Sequence, residues 1–410
     1  MNGRRSAIVI VDPVSSARHY GSEIRSKGLI GVALISVAKL SEGLRRLQDL
    51  SGFEVVVYAG SFELAVCRLA EYEICAVIPG SDLGLGLSDM LNYHYGLVGN
   101  PVISLKSRMC KLELKKTLEY KNVPATHSIE VSLKSIERSQ DQNFNFPLVV
   151  KPSQGTGSKN VKVCKNLAEL SLAISNIEGN HDFHVDGEVV ALAEEYIEGI
   201  EYFVVTANLG KNENKIFLCF AKYEKIECSG NLSIYKNIMS LPLSGDNAQL
   251  AFSYACDVNE AIELDYGIND IELKIGPKGV LIIEQNGRLP GADVPRMIEL
   301  CSGFNCYDFN LDIYLGKKFQ HTATPRFNKH FCICCLISTA PGEVKSISGV
   351  ELVSQLSSFN SMNLFVSTGQ RVEVTRDFLS SWGMVYLVHE NRELLAEHAE
   401  LVHQLLRLNM

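Results

Sequence analysis

Residues 271–286 read Ile-Glu-Leu-Lys-Ile-Gly-Pro-Lys-Gly-Val-Leu-Ile-Ile-Glu-Gln-Asn, two alternating runs around Pro277-Lys278-Gly279. Alternation of this kind fits little besides a β-hairpin with one wet and one dry face, because residues i and i+2 share a side of a strand. A three-residue loop with Gly279 in the left-handed region is a favoured connection. It sets Gly276 opposite Val280 and therefore Glu272 opposite Glu284, with Ile271, Leu273, Leu281 and Ile283 pointing into a core. Carboxylates placed directly across a ladder repel one another. Hard divalent cations take oxygen ligands, and Glu272, Glu284 and Asn286 form an all-oxygen set able to hold one or two Mg²⁺ ions on a nucleotide's phosphates. Arg288 follows on the same side, beside Gly287, Pro290 and Gly291. A merely solvated hairpin face gives no reason for polar residues to gather at the strand end.

A second feature precedes it. The strand 146–151 ends on Lys151 and runs into Pro152-Ser153-Gln154-Gly155-Thr156-Gly157-Ser158-Lys159, a loop of small and hydroxylated residues whose backbone N–H groups can turn inward as an anion-binding nest. The Walker spacing G-x-x-x-x-G-K-[ST] is absent.

The first hundred residues alternate β-branched runs (7–11, 32–36, 54–59 and 74–78) with helical patterns at 40–50 and 62–72, the mark of βαβ units around a parallel sheet. The loops after the first and fourth strands, Asp12 to Ser16 and Pro79 to Asp82, fall at strand carboxyl ends, where open α/β sheets bind ligands. No G-x-G-x-x-G follows the first strand, which argues against a dinucleotide-dependent dehydrogenase. One charged helix is expected over 107–121. The middle of the chain reads as antiparallel α+β, and the last stretch as strands at 331–338, 364–366 and 384–389 with a helix over 392–408.

Composition removes other classes. Hydrophobic residues make up 46% and charged residues 21%, as in soluble globular proteins. With 39 Lys+Arg against 47 Asp+Glu the net charge is −8, and without a basic run a nucleic-acid partner is not expected. Apolar stretches are too short to span a bilayer, and no signal-peptide pattern opens the chain. The expectation is therefore a cytoplasmic protein without a membrane partner, whose 12 cysteines are reduced. Cys332, Cys334 and Cys335 read as buried strand residues, since no second pair completes a zinc site.

Taken in order, Lys106, Lys151 with its glycine-rich loop, Glu194-Glu195-Tyr196-Ile197-Glu198-Gly199-Ile200-Glu201, Glu272 and Glu284-x-Asn286-x-Arg288 resemble the ATP-grasp superfamily, with the match running from about 101 to 316. The flanking regions resemble its carboxylate–amine ligase branch, in particular the L-amino-acid (dipeptide) ligases. The resemblance implies an α/β and α+β chain in three parts: a Rossmann-like domain at 1–105, an ATP-grasp domain at 106–326 with a lid at about 121–201, and a small α+β domain at 327–410. It implies ATP and Mg²⁺ as cofactors. Lys106 and Lys151 would contact phosphates beneath the Ser153, Gly155, Gly157 and Ser158 loop, Glu194 to Ile197 would meet adenine, and Glu201 the ribose. Glu272, Glu284 and Asn286 would hold magnesium, and Arg288 would stabilise charge on the reacting acyl group. Many relatives carry a histidine where this chain has Asp270, and a further phosphate contact is expected at Lys222 or Lys225.

The implied activity is an ADP-forming ligase that joins small-molecule carboxylates and amines, amino acids among them, through an acyl phosphate. A homodimer is compatible with the resemblance. Two alternatives stand beside it. A biotin- or bicarbonate-dependent carboxylase would need a biotinylation site, and no Met-Lys-Met occurs here. A non-catalytic nucleotide-binding regulator would have no reason to keep both the metal residues and Arg288.

Overall fold

The computed structural model describes residues 4–37, 40–138, 144–155, 160–179, 189–228, 232–319 and 323–410. The amino-terminal region forms β1 (Arg5–Val11), α1 (Tyr20–Ser26), β2 (Ile30–Ile35), α2 (Glu42–Arg46), β3 (Val55–Tyr58), α3 (Phe62–Leu69), β4 (Tyr72–Pro79) and α4 (Leu85–Tyr95). Its strands pair in parallel in the order β3-β2-β1-β4. Ala7 to Val11 are wholly buried, as a strand covered on both faces requires. The chain order reverses between β1 and β4, which opens the usual ligand crevice of such sheets. The loops there touch: Gly80 N–H donates to Val11 O at 2.7 Å, and a Cβ on Gly80 would stand 2.7 Å from the Cα of Pro13.

The helix expected over 107–121 is two, α5 (Leu105–Met109) and α6 (Lys111–Tyr120). They are separated by Cys110 in an extended conformation (φ −114°, ψ 121°). Next come β5 (Ser128–Val131), β6 (Leu148–Pro152), β7 (Lys162–Cys164), a helix over Leu167–Glu178 and β8 (Ala191–Glu195). They make an antiparallel sheet, β5-β8-β6-β7, with a core of its own around Val150, Leu170 and Ile174.

The largest sheet has eight strands. Its order is β13 (Gly279–Asn286), β12 (Tyr266–Gly276), β9 (Ile200–Leu209), β10 (Ile216–Cys228), β11 (Leu232–Leu241), β14 (His330–Leu336), then the strands Gly383–His389 and Phe359–Leu364. Thus the carboxyl-terminal strands continue the middle sheet: β11 pairs with β14 through Asn237↔Cys334, Ile238↔Ile333 and Met239↔Cys332. A helix over Arg392–Leu405 covers this end. Cys332, Cys334 and Cys335 are fully buried there and are free thiols. Among the described residues no helix is long and apolar enough to cross a membrane.

Candidate active site

The β12–β13 hairpin brings Glu272 opposite Glu284, though by another route than the sequence suggests. Gly276 pairs with Gly279 across a two-residue turn, and the register then shifts so that Leu273 faces Ile282 while Glu272 faces Glu284. Ile283 is the extra residue, a β-bulge, and bulges re-aim the side chains beyond them. Val280 and Ile282 therefore join Ile271 and Leu273 in one core cluster, Leu281 is buried outside that cluster, and Glu284 swings round to the face of Glu272.

On that face the charges are knotted together. Burial and the neighbouring Glu284 and Glu201 raise the pKa of Glu272 well above the carboxylate range, and the Tyr223 hydroxyl donates to it at 3.0 Å. Lys111 Nζ lies 2.8 Å from Glu284 and donates to Gly155 O at 3.0 Å. Asp270 accepts from Asn286 Nδ2 at 2.9 Å and from Arg288 at 2.6 Å, while Arg288 also reaches Asp82 at 3.0 Å. Burial pushes the Asp270 carboxyl up to about 6, against the pull of Arg288. Glu272, Glu284 and Asn286 suit a hard cation because all three offer oxygen and the two carboxylates face each other. Among the described residues no group of three His, Cys, Asp or Glu could hold a metal, so the remaining oxygens of such a site would come from phosphate and water.

Two buried lysines serve the bulge. Lys115 Nζ donates to Ile282 O at 2.5 Å and to Thr126 at 2.9 Å; burial lowers its pKa to about 8. Lys151 Nζ donates to Ile283 O at 3.3 Å and pairs with Glu194 at 2.7 Å, and Glu194 also accepts from Ser128 at 2.7 Å. Lys106 is not brought to this cluster. It is exposed on α5 and makes no ion pair with a described residue; the break at Cys110 turns Lys111, five residues on, toward Glu284 instead. Ser153 Oγ accepts from Val190 N–H at 3.2 Å, Ile197 O from Lys274 at 3.1 Å, and Glu201 pairs with Lys225 at 2.5 Å. Lys222 pairs with Glu224 at 2.9 Å. Gly157 and Ser158 lie outside the described residues.

Sequence reading did not single out Lys111, Lys115 or Tyr223. Nothing local distinguishes Lys111 from Lys115 or Lys116, whereas Asp82 lay in a loop already marked by its place after β4.

The pocket beside Arg288 has a volume of about 160 Å³ and is lined by the loops after β1 and β4, the end of β13, and two segments from opposite ends of the chain. Its floor is stitched. Ser15 Oγ accepts from Ala292 N–H at 3.1 Å, Ser16 Oγ from Asp293 N–H at 3.0 Å, and Arg18 pairs with Asp293 at 2.6 Å. Ser15, Ala292 and Asp293 all have φ between 55° and 56°, left-handed values that cost a non-glycine residue about 1 kcal/mol or more.

A crevice-bearing parallel sheet, a small antiparallel sheet and a carboxylate-lined strand end are together the parts of an ATP-dependent ligase of the ATP-grasp class, and two stretches of the chain match family models of that class. Residues 144–295 match the ATP-grasp domain family and residues 335–410 match L-amino acid ligase C-terminal domain 2. Dapdiamide A synthase of Enterobacter agglomerans is 24% identical over 403 residues, 96% of this chain and 94% of that protein. The L-arginine-specific L-amino acid ligase of Bacillus subtilis is 21% identical over 326 residues, covering 78% of this chain and 76% of that one. The structure of an L-amino acid ligase from Bacillus licheniformis superposes with a TM-score of 0.82 at 17% identity, over 100% of this chain and 99% of the other. The protein is thus an ATP-dependent ligase, and its carboxyl terminus sets it apart from the carboxylases that share the fold.

Proposed function

We propose that the chain joins the carboxylate of one amino acid to the amine of another. The observation that carries the reading is Arg288, half-buried in the pocket wall and held between Asp82 and Asp270 at the edge of the Glu272–Glu284–Asn286 face. Magnesium–ATP supplies the γ-phosphoryl group that a substrate carboxylate oxygen attacks, with ADP leaving; the amine nitrogen then displaces phosphate and gives up a proton. Glu272, Glu284 and Asn286 would hold the magnesium, one ion or two. Lys111 and Lys151, rather than Lys106, would stand over the phosphates with the loop from Ser153 onward. Fixed cations of this kind lower the barrier because they need no reorganisation as charge moves. Arg288 would steady the oxyanion of the acyl group. The peptide from Glu194 to Ile197 would meet the adenine and Glu201 the ribose, with Lys225 holding Glu201 in place. The unit at about 121–201, with its separate core, would act as the lid that excludes water from the acyl phosphate. A homodimer and a cytoplasmic setting complete the proposal.

The test is ADP release from amino acids offered singly and in pairs. A requirement for two components supports the ligase. Turnover that depends on bicarbonate and biotin would favour a carboxylase, and nucleotide binding without turnover on any pair would favour a regulator.

A further inference from the structure

Beyond Arg288 the pocket is closed by a wall assembled from remote parts of the chain. Leu44 and Leu47 come from α2 and its end, Phe378 and Leu379 from a single turn before the strand Gly383–His389. The wall is built rather than incidental. A Cβ on Gly43 would stand 2.8 Å from the Cβ of Leu379, so only glycine admits this approach. Arg46 donates to Leu379 O at 2.9 Å, and Leu47 O accepts from Ser15 N–H at 2.8 Å. Asp377 caps the turn by accepting from Ser380 N–H at 2.8 Å, and Phe378 meets Tyr235 edge-on at 5.9 Å.

Charge selects what this wall can receive. Arg288 is the one cationic side chain among the lining residues and is already paired with Asp82 and Asp270; the other charges there are Glu272 and Glu284. An acidic side chain lying against the wall would meet no counter-ion, and a buried charge without a partner is strongly disfavoured. The volume of about 160 Å³ is shared between the wall and the Glu272–Glu284–Asn286 face, and since roughly 150 Å³ holds benzene, it leaves the wall room for no more than one medium-sized side chain.

We propose that Leu44, Leu47, Phe378 and Leu379 form the side-chain pocket for the acid substrate, and that this substrate is an amino acid with a medium-sized aliphatic or aromatic side chain whose carboxylate is directed to Arg288. The inference rests on the ligase reading and deepens it.

Hydroxylamine tests it without knowledge of the natural amine, because it captures an acyl phosphate as a hydroxamate. With the full-length protein and Mg-ATP, hydroxamate formation is measured for leucine, methionine, phenylalanine, aspartate and lysine. The expected kcat/KM for the first three exceeds that for the last two by about tenfold or more, the scale of discrimination by an apolar pocket. Leu47→Arg should raise the aspartate-to-leucine ratio, a gain that a misfolded protein cannot give. Leu379→Ala should raise KM for leucine several-fold while leaving nucleotide affinity unchanged. Equal use of aspartate by the wild type, or unchanged ratios in both variants, overturns the assignment of the wall. Tight nucleotide binding with no hydroxamate from any amino acid overturns the ligase reading beneath it.

Discussion

Lys111 ties the Glu272–Glu284 face to the loop after β6, since one ammonium reaches both Glu284 and the Gly155 carbonyl. Lys111→Met should therefore weaken nucleotide binding by about 1.5–3 kcal/mol, the worth of a hydrogen bond to a charged group, whereas Lys106→Met should leave it within about 0.5 kcal/mol. Calorimetry on the two variants checks this directly. Glu284→Gln removes a charge but not the shape, so turnover should fall by at least two orders of magnitude with the thermal midpoint held within a few degrees; wild-type turnover at saturating Mg-ATP would refute its place. At this scale the sequence was legible for the facing of Glu272 and Glu284, although the turn and register that bring it about differ from those the spacing implies. It misled where a backbone break decides, because the helical pattern from Ser107 to Lys121 runs through Cys110 without a capping residue to mark the interruption.

Among the elements, the hairpin shows two different backbones reaching one juxtaposition. Alternation and a glycine turn imply the facing carboxylates, but a two-residue turn with a bulge gives the same pairing as a three-residue turn without one, and only packing of Val280 and Ile282 chooses between them. The Arg392–Leu405 helix offers a separate test. His403 Nε2 meets Asn237 Oδ1 at 2.8 Å, and burial, helped by Lys236 and opposed by Glu400 and Glu224, lowers its pKa to about 4. The neutral ring is the one the fold accepts. Between pH 6.5 and about 4 the unfolded chain binds a proton that the folded chain refuses, so stability should decline as pH falls through that window, by of order 1–3 kcal/mol, and level off below it. His403→Gln should flatten this part of the curve of thermal midpoint against pH.

For the molecule as a whole, the eight-stranded sheet runs across the boundary that the resemblance implies between 106–326 and 327–410. The strands expected at 331–338 and 384–389 lie close to His330–Leu336 and Gly383–His389, whereas the one expected at 364–366 is Phe359–Leu364, ending where it was expected to begin; which edge β14 joins depends on contacts far apart in sequence, such as Ser240 Oγ accepting from Phe331 N–H at 2.8 Å. Residues 1–326 expressed alone would expose the edge of β11 together with apolar residues such as Met239, so that fragment should aggregate, while the full chain should unfold with these two regions in one calorimetric transition. A soluble, cooperatively folded fragment would contradict this. The stitched floor of the pocket has a further consequence. Because Ser15, Ser16 and Arg18 bind the loop at 292–293 from the opposite sheet, the two halves beneath the acid cannot drift apart like hinged plates. They form an anvil; if the small sheet is the lid proposed above, it is the hammer, and an acid bound in the proposed pocket would be gauged against a surface that keeps its shape whether or not the stroke has fallen.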